Sequence, residues 1–363
     1  MFEDLGFEYL DPRQASALFG LIVGVMFGTL AQRTRFCLRR ALAGAPEDRK
    51  SASGVWLMAL AAALVGTQGV IATGLVDFTE HRFFVAELPV LAILAGGVMF
   101  GAGMVLTRGC VSRLTVLGGS GNLRALTVLL VFAVVAHATL KGILVPLRAS
   151  LSSVTIDLGT LTGFAALPGG SLLWTGVIAA GAGAVALRSG NRLTTLGLAV
   201  LLGLLVPLCW AGTGYVLYDD FDPIPMESLS FTAPMADSLF YLIAATSIRP
   251  AFGAGLVGGT LLGALIAALA TREFAFQSFV SAPQTGRYMA GAALMGVGGV
   301  LAGGCSVGAG LAGVPTLSFA ATLALVGIAV GGWVTGRLLP EGVTPSSAGS
   351  AEQATKQQER PAE

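Results

Sequence analysis

The segments Gly24–Arg40, GVMFGTLAQRTRFCLRR, and Gly97–Arg113, GVMFGAGMVLTRGCVSR, share one pattern. Each opens with GVMFG and reaches a cysteine, Cys37 or Cys110, nine residues after the last glycine of that string. In both segments a Thr-Arg pair comes shortly before the thiol and an arginine shortly after it. A glycine-rich apolar run that stops at a basic stretch is typical of a helix end in a membrane protein. The pattern therefore predicts two equivalent helix ends, each carrying a cysteine.

A third, looser copy of the pattern contains Cys305. This cysteine lies nine residues after Gly296 and belongs to the string LAGGCSVGAGLAG (301–313). A thiol beside a helix N-terminus or an arginine is polarised and acidified. Its S–H group can donate to an anion, and its soft sulfur suits a sulfur ligand. Three thiols in equivalent places therefore predict a site for a soft, sulfur-bearing anion. The alternative is that they are small, buried and inert, which is how we interpret the fourth cysteine, Cys209.

The composition indicates a polytopic membrane protein. The chain has 363 residues, of which 54% are hydrophobic and 11% charged, whereas a soluble domain carries about 25% charged residues. The net charge of +1 gives no overall field that would favour nucleic acid. Four cysteines at long, unequal spacings form neither a disulfide framework nor a zinc pattern, and we expect no metal and no cofactor. The acidic N-terminus lacks the basic region of a cleavable signal peptide.

About twenty apolar residues are needed to span a bilayer as a helix. By this measure the sequence predicts nine spans, at 16–32, 54–76, 88–107, 123–145, 170–187, 194–217, 252–271, 286–303 and 316–338. Connections after the odd-numbered spans are rich in arginine, and those after the second and sixth are acidic. Because cytoplasmic loops carry the excess of Lys and Arg, we expect the N-terminus outside and the C-terminus in the cytoplasm.

The order of the spans predicts an inverted repeat. Pairing spans one to four with spans six to nine aligns Cys110 with Cys305 in opposite orientation, and such repeats place the substrate site between the halves. The predicted fold is therefore all-α, with about nine transmembrane helices in an inverted repeat and short re-entrant segments that bear cysteines. The expected division is an outer N-terminal segment, the first repeat, a connecting segment with one span, the second repeat and a disordered tail, at 1–15, 16–145, 146–194, 195–338 and 339–363.

Glycine strings next to two of the thiols, GGSGN (118–122) and GGCSVGAG (303–310), can expose backbone N–H groups to an anion. Arginines that flank the thiols can hold an oxyanion through their planar guanidinium groups, although snorkelling anchors or topology determinants are the alternative interpretation. The predicted substrate-binding residues are Cys37, Cys110, Cys305, Arg35, Arg108, Arg113, Asn122, Gly109, Gly304 and Gly308.

Arg249 and His137 are two further residues with a possible functional role. Arg249 lies on the acidic side just before the seventh span, where it marks either an anion entrance or a capping or topology residue. His137 is a titratable side chain within the fourth span, a position that can serve a proton relay. Because no acidic partner is predicted at that depth, we expect a structural hydrogen bond for His137.

These cysteine-centred segments resemble the YeeE/YedE family of sulfur-transport membrane proteins. The matching pieces are RTRFCLRRAL around Cys37, LTRGCVSRLTVLGGSGNLRAL around Cys110 and GGVLAGGCSVGAGLAG around Cys305. The resemblance implies a bacterial inner-membrane importer of thiosulfate or a related sulfur compound, with an inverted-repeat fold whose three matching thiols pass the anion inward. It also implies a small cytoplasmic, TusA-like sulfur-carrier partner. Arg113 and Leu114 depart from the family's usual small or polar residues, which leaves the sulfur or selenium species open.

Three functional hypotheses follow. The first is a transporter of thiosulfate or a related sulfur anion, embedded in the lipid bilayer and not an enzyme. The second is a membrane sulfur-relay or redox enzyme in which the same cysteines form persulfide or disulfide intermediates. The third is a structural membrane partner of a sulfur-transfer complex. Uptake by the purified chain in liposomes separates the first hypothesis from the third.

Overall fold

The computed structural model describes residues 11–219 and 222–339. Most of the predicted N-terminal segment 1–15 and nearly all of the predicted tail 339–363 therefore lie outside the described residues. The helices are α1 (Pro12–Thr34), α2 (Leu38–Ala43), α3 (Pro46–Ala72), α4 (Val90–Leu106), α5 (Val111–Gly119), α6 (Leu123–Lys141), α7 (Val145–Ser152), α8 (Gly170–Leu187), α9 (Leu193–Ala211), α10 (Thr232–Ile243), α11 (Phe252–Ala270), α12 (Ala282–Leu301) and α13 (Phe319–Leu338).

Shorter elements complete the described part of the chain. The antiparallel strands β1 (Glu87–Leu88) and β2 (Ile156–Asp157) form one two-stranded sheet. Phe164–Ala166 and Val314–Thr316 are 3₁₀ turns. Two segments are π-helical, Gly212–Val216 and Ser306–Gly313, and π-helical geometry is rare and often marks a functional site.

Nine helical stretches within the described residues are long and apolar enough to cross a membrane, and they coincide with the nine predicted spans. The all-α, polytopic class is thereby confirmed. Some helix ends differ from the predicted ends of the spans, because residues near those ends favour an earlier start or stop. The second predicted span, 54–76, corresponds to α3, which begins earlier because Pro46 fits the first helical turn and Glu47 and Asp48 favour its N-terminus. The fourth predicted span, 123–145, ends earlier because Gly142 terminates α6.

The first GVMFG string packs α1 against α11. A Cβ atom added at Gly24 would approach the carbonyl oxygen of Leu256 to 2.5 Å, and one at Gly28 would overlap that of Thr260. On the facing helix, Cβ atoms at Gly259 and Gly263 would overlap carbonyl oxygens of α1. Contacts advance together along both helices, so α1 and α11 run parallel. Small residues let membrane helices approach at backbone distance, and this pair has glycine on both sides.

The second GVMFG string has the same role in a different pair, α4 and α13. A Cβ atom at Gly101 would overlap the carbonyl oxygen of Ile328, and one at Gly331 would overlap that of Val98. Gly97 lies directly against Ala324 and Gly327, where its Cβ would be 3.0 Å from each backbone. The repeated string therefore specifies close packing in two equivalent helix pairs, besides setting the distance to the cysteine that follows.

Helix contacts recur in matched pairs. Helix α1 packs on α11 as α9 packs on α3, and α4 packs on α13 as α12 packs on α6. The short helices follow the same rule, because α2 contacts α3 and α13 while α10 contacts α11 and α6. Exchanging α1–α6 with α9–α13 thus preserves these contacts, with the π-helical segment Ser306–Gly313 in the place of α5. This is the pattern expected of two related repeats; the inverted repeat and the domain division remain predictions.

Candidate functional site

Each of the three repeat cysteines follows the same turn. The residue two positions before the thiol has a left-handed backbone, with φ of 51° at Arg35, 61° at Arg108 and 73° at Gly303. Non-glycine residues rarely adopt this conformation, so its recurrence at two arginines is informative. The turn ends a long helix and redirects the chain, and the cysteine then occupies the N-cap of the next helical segment.

The threonines of the Thr-Arg pairs stabilise these turns. The Thr34 hydroxyl donates to the carbonyl oxygen of Leu30 (2.7 Å), and the Thr107 hydroxyl donates to that of Gly103 (2.9 Å). Thr107 also contacts the carbonyl oxygen of Gly109 at 2.9 Å. In the third copy Gly303 enters the left-handed region without a steric penalty. The Thr-Arg pairs thus have a backbone role that the sequence did not reveal, besides any role of their side chains.

Cys305 lies in a nest of backbone donors. Gly308 donates its N–H to the sulfur at 3.3 Å, and the N–H groups of Val307 and Phe231 are also directed to it. Every residue of Ser306–Gly313 is buried. Gly304 fits tightly, because a Cβ there would lie 2.8 Å from the nitrogen of Ala309. Such a nest favours negative charge; that the glycine string also offers N–H groups to an anion stays a prediction.

Two hydroxyl groups next to this nest have no hydrogen-bond partner among the described residues. They belong to Ser306, which follows Cys305, and to Thr232, which follows Phe231; both are buried. A buried hydroxyl without a partner costs about 1–3 kcal/mol. A water molecule or an anion at this site would satisfy both groups.

The three thiols form a series. Cys110 is close enough to both Cys37 and Cys305 for a charge on one thiol to act on the next. The Cys110 sulfur also shares a 3.2 Å hydrogen bond with the hydroxyl of Ser112. All three are free and buried, with exposed fractions of 3%, 2% and 0% for Cys37, Cys110 and Cys305. The order along the series is therefore Cys305, Cys110, Cys37.

Cys209 is equally buried but has a different setting. It lies inside α9 rather than at an N-cap, near Ser228, whose hydroxyl donates to the carbonyl oxygen of Val206 at 3.0 Å. Within the described residues, no group of three His, Cys, Asp or Glu side chains is placed to hold a metal ion.

A polar cavity of about 380 Å³ lies beyond Cys37, and we call it the Arg113 cavity. Its lining combines arginines with amides and carboxylates: Gln32, Arg35, Arg40, Asp48, Arg113, Leu117, Ser120, Asn122, Glu273, Ala275 and Gln277. The Arg113 guanidinium acts electrostatically on both Cys37 and Cys110 and lies 3.4 Å from the Gln32 amide oxygen. Three predicted residues therefore meet here, namely Arg35, Arg113 and Asn122.

Two of these three residues, Arg35 and Asn122, also have structural partners. The Arg35 guanidinium lies 4.0 Å from Glu273 and is largely exposed. Asn122 caps α6 by accepting from the Ala125 N–H at 3.1 Å and donates to the Gln277 side chain at 2.9 Å. Arg108 is half-buried at the end of α4 and does not line the Arg113 cavity.

A second cavity, of about 640 Å³, lies beyond Cys305, and we call it the Arg82 cavity. It is formed by the loop after α3, the end of α9, the segment before α10 and Gly308 of the π-helical segment. Its ionisable and polar lining residues are Asp77, Glu80, His81, Arg82, Trp210, Tyr218, Glu227, Ser228 and Ser230. Helix α1 ends at the Arg113 cavity and α3, which runs back, ends at the Arg82 cavity. The two cavities therefore lie at opposite ends of the bundle.

Sequence reasoning missed the ionisable groups of the Arg82 cavity. The available signal was the pair His81-Arg82, two basic-type residues in a connection that is otherwise acidic. Arg249, the arginine that we considered as an anion entrance, instead forms an exposed ion pair with Asp11 at 2.6 Å.

Burial changes the pKa values of ionisable groups in the Arg82 cavity. Desolvation, helped by the charge of Arg82, lowers the pKa of His81 to about 4, so the ring is neutral near pH 7. Desolvation raises the pKa of Glu227 to about 7 although Arg82 opposes the shift. The pKa of Arg82 is lowered for the same reason, while Glu227 and Cys305 act to raise it. Arg82 stays charged at neutral pH, so the cavity holds one fixed cation beside a carboxyl that titrates.

His137 does not have the hydrogen bond that we expected at its ring. Its Nδ1 atom is buried without a partner among the described residues. The ring stacks instead on Phe240, with 4.8 Å between ring centroids and 28° between planes. The contact joins α6 to α10.

Comparison with known proteins completes the description of the site. The profile of the family described as Sulphur transport matches residues 33–334, a range that includes all three repeat cysteines. A protein of Escherichia coli (strain K12) named thiosulfate transporter TsuA is 28% identical over 89% of this chain and 94% of its own length. A protein of the same name from Spirochaeta thermophila is 26% identical over 88% of this chain and 98% of its own length.

Proposed function

Because the chain belongs to the Sulphur transport family, we propose that it is a multi-pass membrane transporter that carries thiosulfate, or a related sulfur-containing anion, past a series of thiols. Relatives named thiosulfate transporters, similar over most of their length, support this substrate class. The proposal makes the chain a transporter and not an enzyme.

The observation that carries the proposal is the thiol series between two polar cavities at opposite ends of the bundle. The Arg82 cavity, Cys305, Cys110, Cys37 and the Arg113 cavity follow one another within electrostatic range. A permeating ion needs several sites that bind it well enough to admit it and weakly enough to release it. Three N-capping thiols of similar geometry meet this requirement.

The predicted substrate-binding residues have distinct roles in this proposal. The thiols contact the soft sulfur of the anion. Backbone N–H groups around Gly304 and Gly308, and in the equivalent turn at Gly109, donate to its oxygens. Arg113, assisted by Arg35 and Asn122, receives the anion in the Arg113 cavity, and Arg108 contributes positive charge near the turn.

We also propose the orientation and the partner. Since cytoplasmic connections carry the excess of arginine, the Arg113 cavity faces the cytoplasm, the Arg82 cavity faces outward and the protein lies in the bacterial inner membrane. The N-terminus is then outside and the C-terminus inside. A small TusA-like sulfur carrier would accept the sulfur compound at the cytoplasmic face.

Thiosulfate is expected to be taken up well ahead of sulfate. Sulfate has four hard oxygens, and a buried path of thiols and glycine N–H groups cannot replace its full hydration shell. Each missing hydrogen bond to a charged group costs about 1.5–3 kcal/mol, and a deficit of about 1.4 kcal/mol already lowers occupancy tenfold. The measurement is uptake of radiolabelled thiosulfate into proteoliposomes at equal ionic strength, with sulfate, sulfite, selenite and unlabelled thiosulfate as competitors.

Unlabelled thiosulfate should compete at least tenfold better than sulfate. Sulfate that competes equally well would contradict the role of the thiols in selectivity. Absence of any thiosulfate uptake by the purified chain would contradict the proposed function. Mass spectrometry of the protein after transport tests the alternative enzyme: a persulfide that appears on Cys37, Cys110 or Cys305 and turns over with transport would favour sulfur-relay chemistry instead.

A further inference from the structure

The Arg82 guanidinium has no hydrogen-bond acceptor among the described residues. Its central carbon lies 5.3 Å from the centre of the Phe83 ring, and its remaining interactions are electrostatic, with Glu227 and Cys305. The side chain is exposed in the cavity, but protein surrounds it closely enough to remove part of its hydration, which lowers its pKa. A guanidinium carries five N–H donors in a fixed fork that fits an oxyanion. The fork of this arginine therefore suits an oxyanion that enters the cavity.

We propose that the Arg82 cavity is a binding site for a small divalent oxyanion, in which Arg82 holds the anion and Glu227 admits it only as the neutral acid. The inference rests on the proposed function, because it names the residues that capture the anion before it reaches Cys305. It also adds a property that the thiols do not supply, namely that one proton accompanies the anion into the site.

The carboxyl of Glu227 is a group whose charge changes near neutral pH, and other ionisable groups surround it. The loop after α3 contributes Asp77, Glu80 and His81, the segment that carries Glu227 contributes Tyr218, and α10 contributes Asp237. The Thr79 hydroxyl and N–H lower the pKa of Asp77, so this carboxylate stays charged near neutral pH. With a pKa of about 4, His81 stays neutral.

His81 adds a hydrogen-bond donor without adding charge. Its ring lies edge-on to Phe78 and to Trp210, with ring centroids 5.6 Å and 5.3 Å away. The Nδ1 atom accepts the backbone N–H of Phe83 at 3.4 Å. Because a neutral imidazole has one N–H, Nε2 then carries the proton. The cavity thus combines a fixed cation, a neutral donor and the titrating acid Glu227 with the charged carboxylate of Asp77.

The sign of the pH dependence follows from Glu227. Below pH 7 its carboxyl is neutral, and the charge of Arg82 is available to an anion. Above pH 7 the carboxylate neutralises Arg82 and repels the anion. If only the protonated form binds, the competent fraction falls from about 0.9 at pH 6 to about 0.09 at pH 8, so the apparent Kd for thiosulfate rises about tenfold. By linkage, binding must also raise proton uptake.

Binding of radiolabelled thiosulfate to the purified protein in nanodiscs, at pH 6 and pH 8, tests the proposal. The unmodified protein should bind about tenfold more tightly at pH 6. Glu227→Gln, which fixes a neutral side chain, should bind at both pH values as the unmodified protein binds at pH 6. Arg82→Gln should lose at least tenfold in affinity at pH 6, and Arg82→Lys, which keeps the charge, should recover much of it.

Arg148→Gln is the matched control, because Arg148 lies on α7 at the same end of the bundle and does not line the cavity. It should bind as the unmodified protein does. Affinity that is unchanged in Arg82→Gln, or a pH dependence that persists in Glu227→Gln, would overturn the proposal.

Uptake into proteoliposomes separates this proposal from the proposed function. If the unmodified chain takes up thiosulfate but Arg82→Gln and Glu227→Gln behave as it does at both pH values, the cavity proposal fails and the transport function stands. If the chain takes up no thiosulfate yet binds it with the predicted dependence on Arg82 and Glu227, the cavity proposal stands and the transport function fails.

Discussion

Replacing Cys110 or Cys305 with alanine is expected to remove most thiosulfate uptake while the amount of protein in the membrane stays near normal. Each substitution deletes one buried sulfur from a series of three, so on the proposed path the anion loses one soft partner. The packing cost is small, because losing one buried heavy atom resembles Ile→Val, at about 0.5–1.5 kcal/mol. Uptake of radiolabelled thiosulfate, normalised to protein reconstituted, is the measurement.

Cys209→Ala is the matched control for these two variants. Its thiol is as fully buried as that of Cys305, so the packing loss is similar, but it lies inside α9 rather than at an N-cap. We expect near-normal uptake from Cys209→Ala. Retained uptake in both Cys110→Ala and Cys305→Ala would show that the anion does not depend on the thiol series. Equal loss in all three variants would trace the effect to packing rather than to the series.

The membrane-spanning part of the fold could be predicted because its signal is local. Each predicted span is a run of about twenty mainly apolar residues, several of them interrupted by Gly or Pro, and nothing distant is needed to recognise it. The positions of Cys37, Cys110 and Cys305 at helix ends were also predictable. Each cysteine lies nine residues after a glycine of an apolar run, at the point where that run ends. All three indeed occupy N-caps of the segments that follow.

The Arg82 cavity could not be predicted because its residues are joined only through space. Arg82 lies in the loop after α3 and Glu227 in the segment before α10, and neither sequence neighbourhood has a repeat or a motif. The left-handed turns at Arg35 and Arg108 were hidden for a different reason. An arginine beside a thiol suggests a ligand-binding charge, whereas its backbone conformation has no signature in the sequence.

The repeated GVMFG string contains information that only the packing explains. In α1 its glycines face α11, and in α4 they face α13. The glycines that allow each helix to pack closely on its partner are also at a constant distance from the cysteine, which lies nine residues after the last of them. A disturbance of the glycine contact is expected to reach the thiols, because α1 leads directly into the turn that carries Cys37.

Gly259→Val is expected to abolish the folded protein, whereas Gly258→Val is tolerated. A Cβ atom at Gly259 would overlap the carbonyl oxygen of Leu21 and lie 3.0 Å from the Cα of Gly24. Backbone atoms cannot move aside as a side chain can, so α1 and α11 must separate along their length. Overpacking of a core costs about 1–3 kcal/mol even where side chains can adjust. At Gly259 the contacts are backbone atoms, so no side chain can move aside.

Gly258 is the neighbouring residue on the same helix, and a Cβ atom added there meets nothing within 4 Å. The two variants therefore share composition, hydrophobicity and helix propensity, and differ only in the face that bears the valine. Size-exclusion chromatography and thermal unfolding in detergent should give a single folded species for Gly258→Val and aggregate for Gly259→Val. If both variants fold equally well, α1 and α11 are not held at backbone contact, and the glycines of GVMFG have some purpose other than packing.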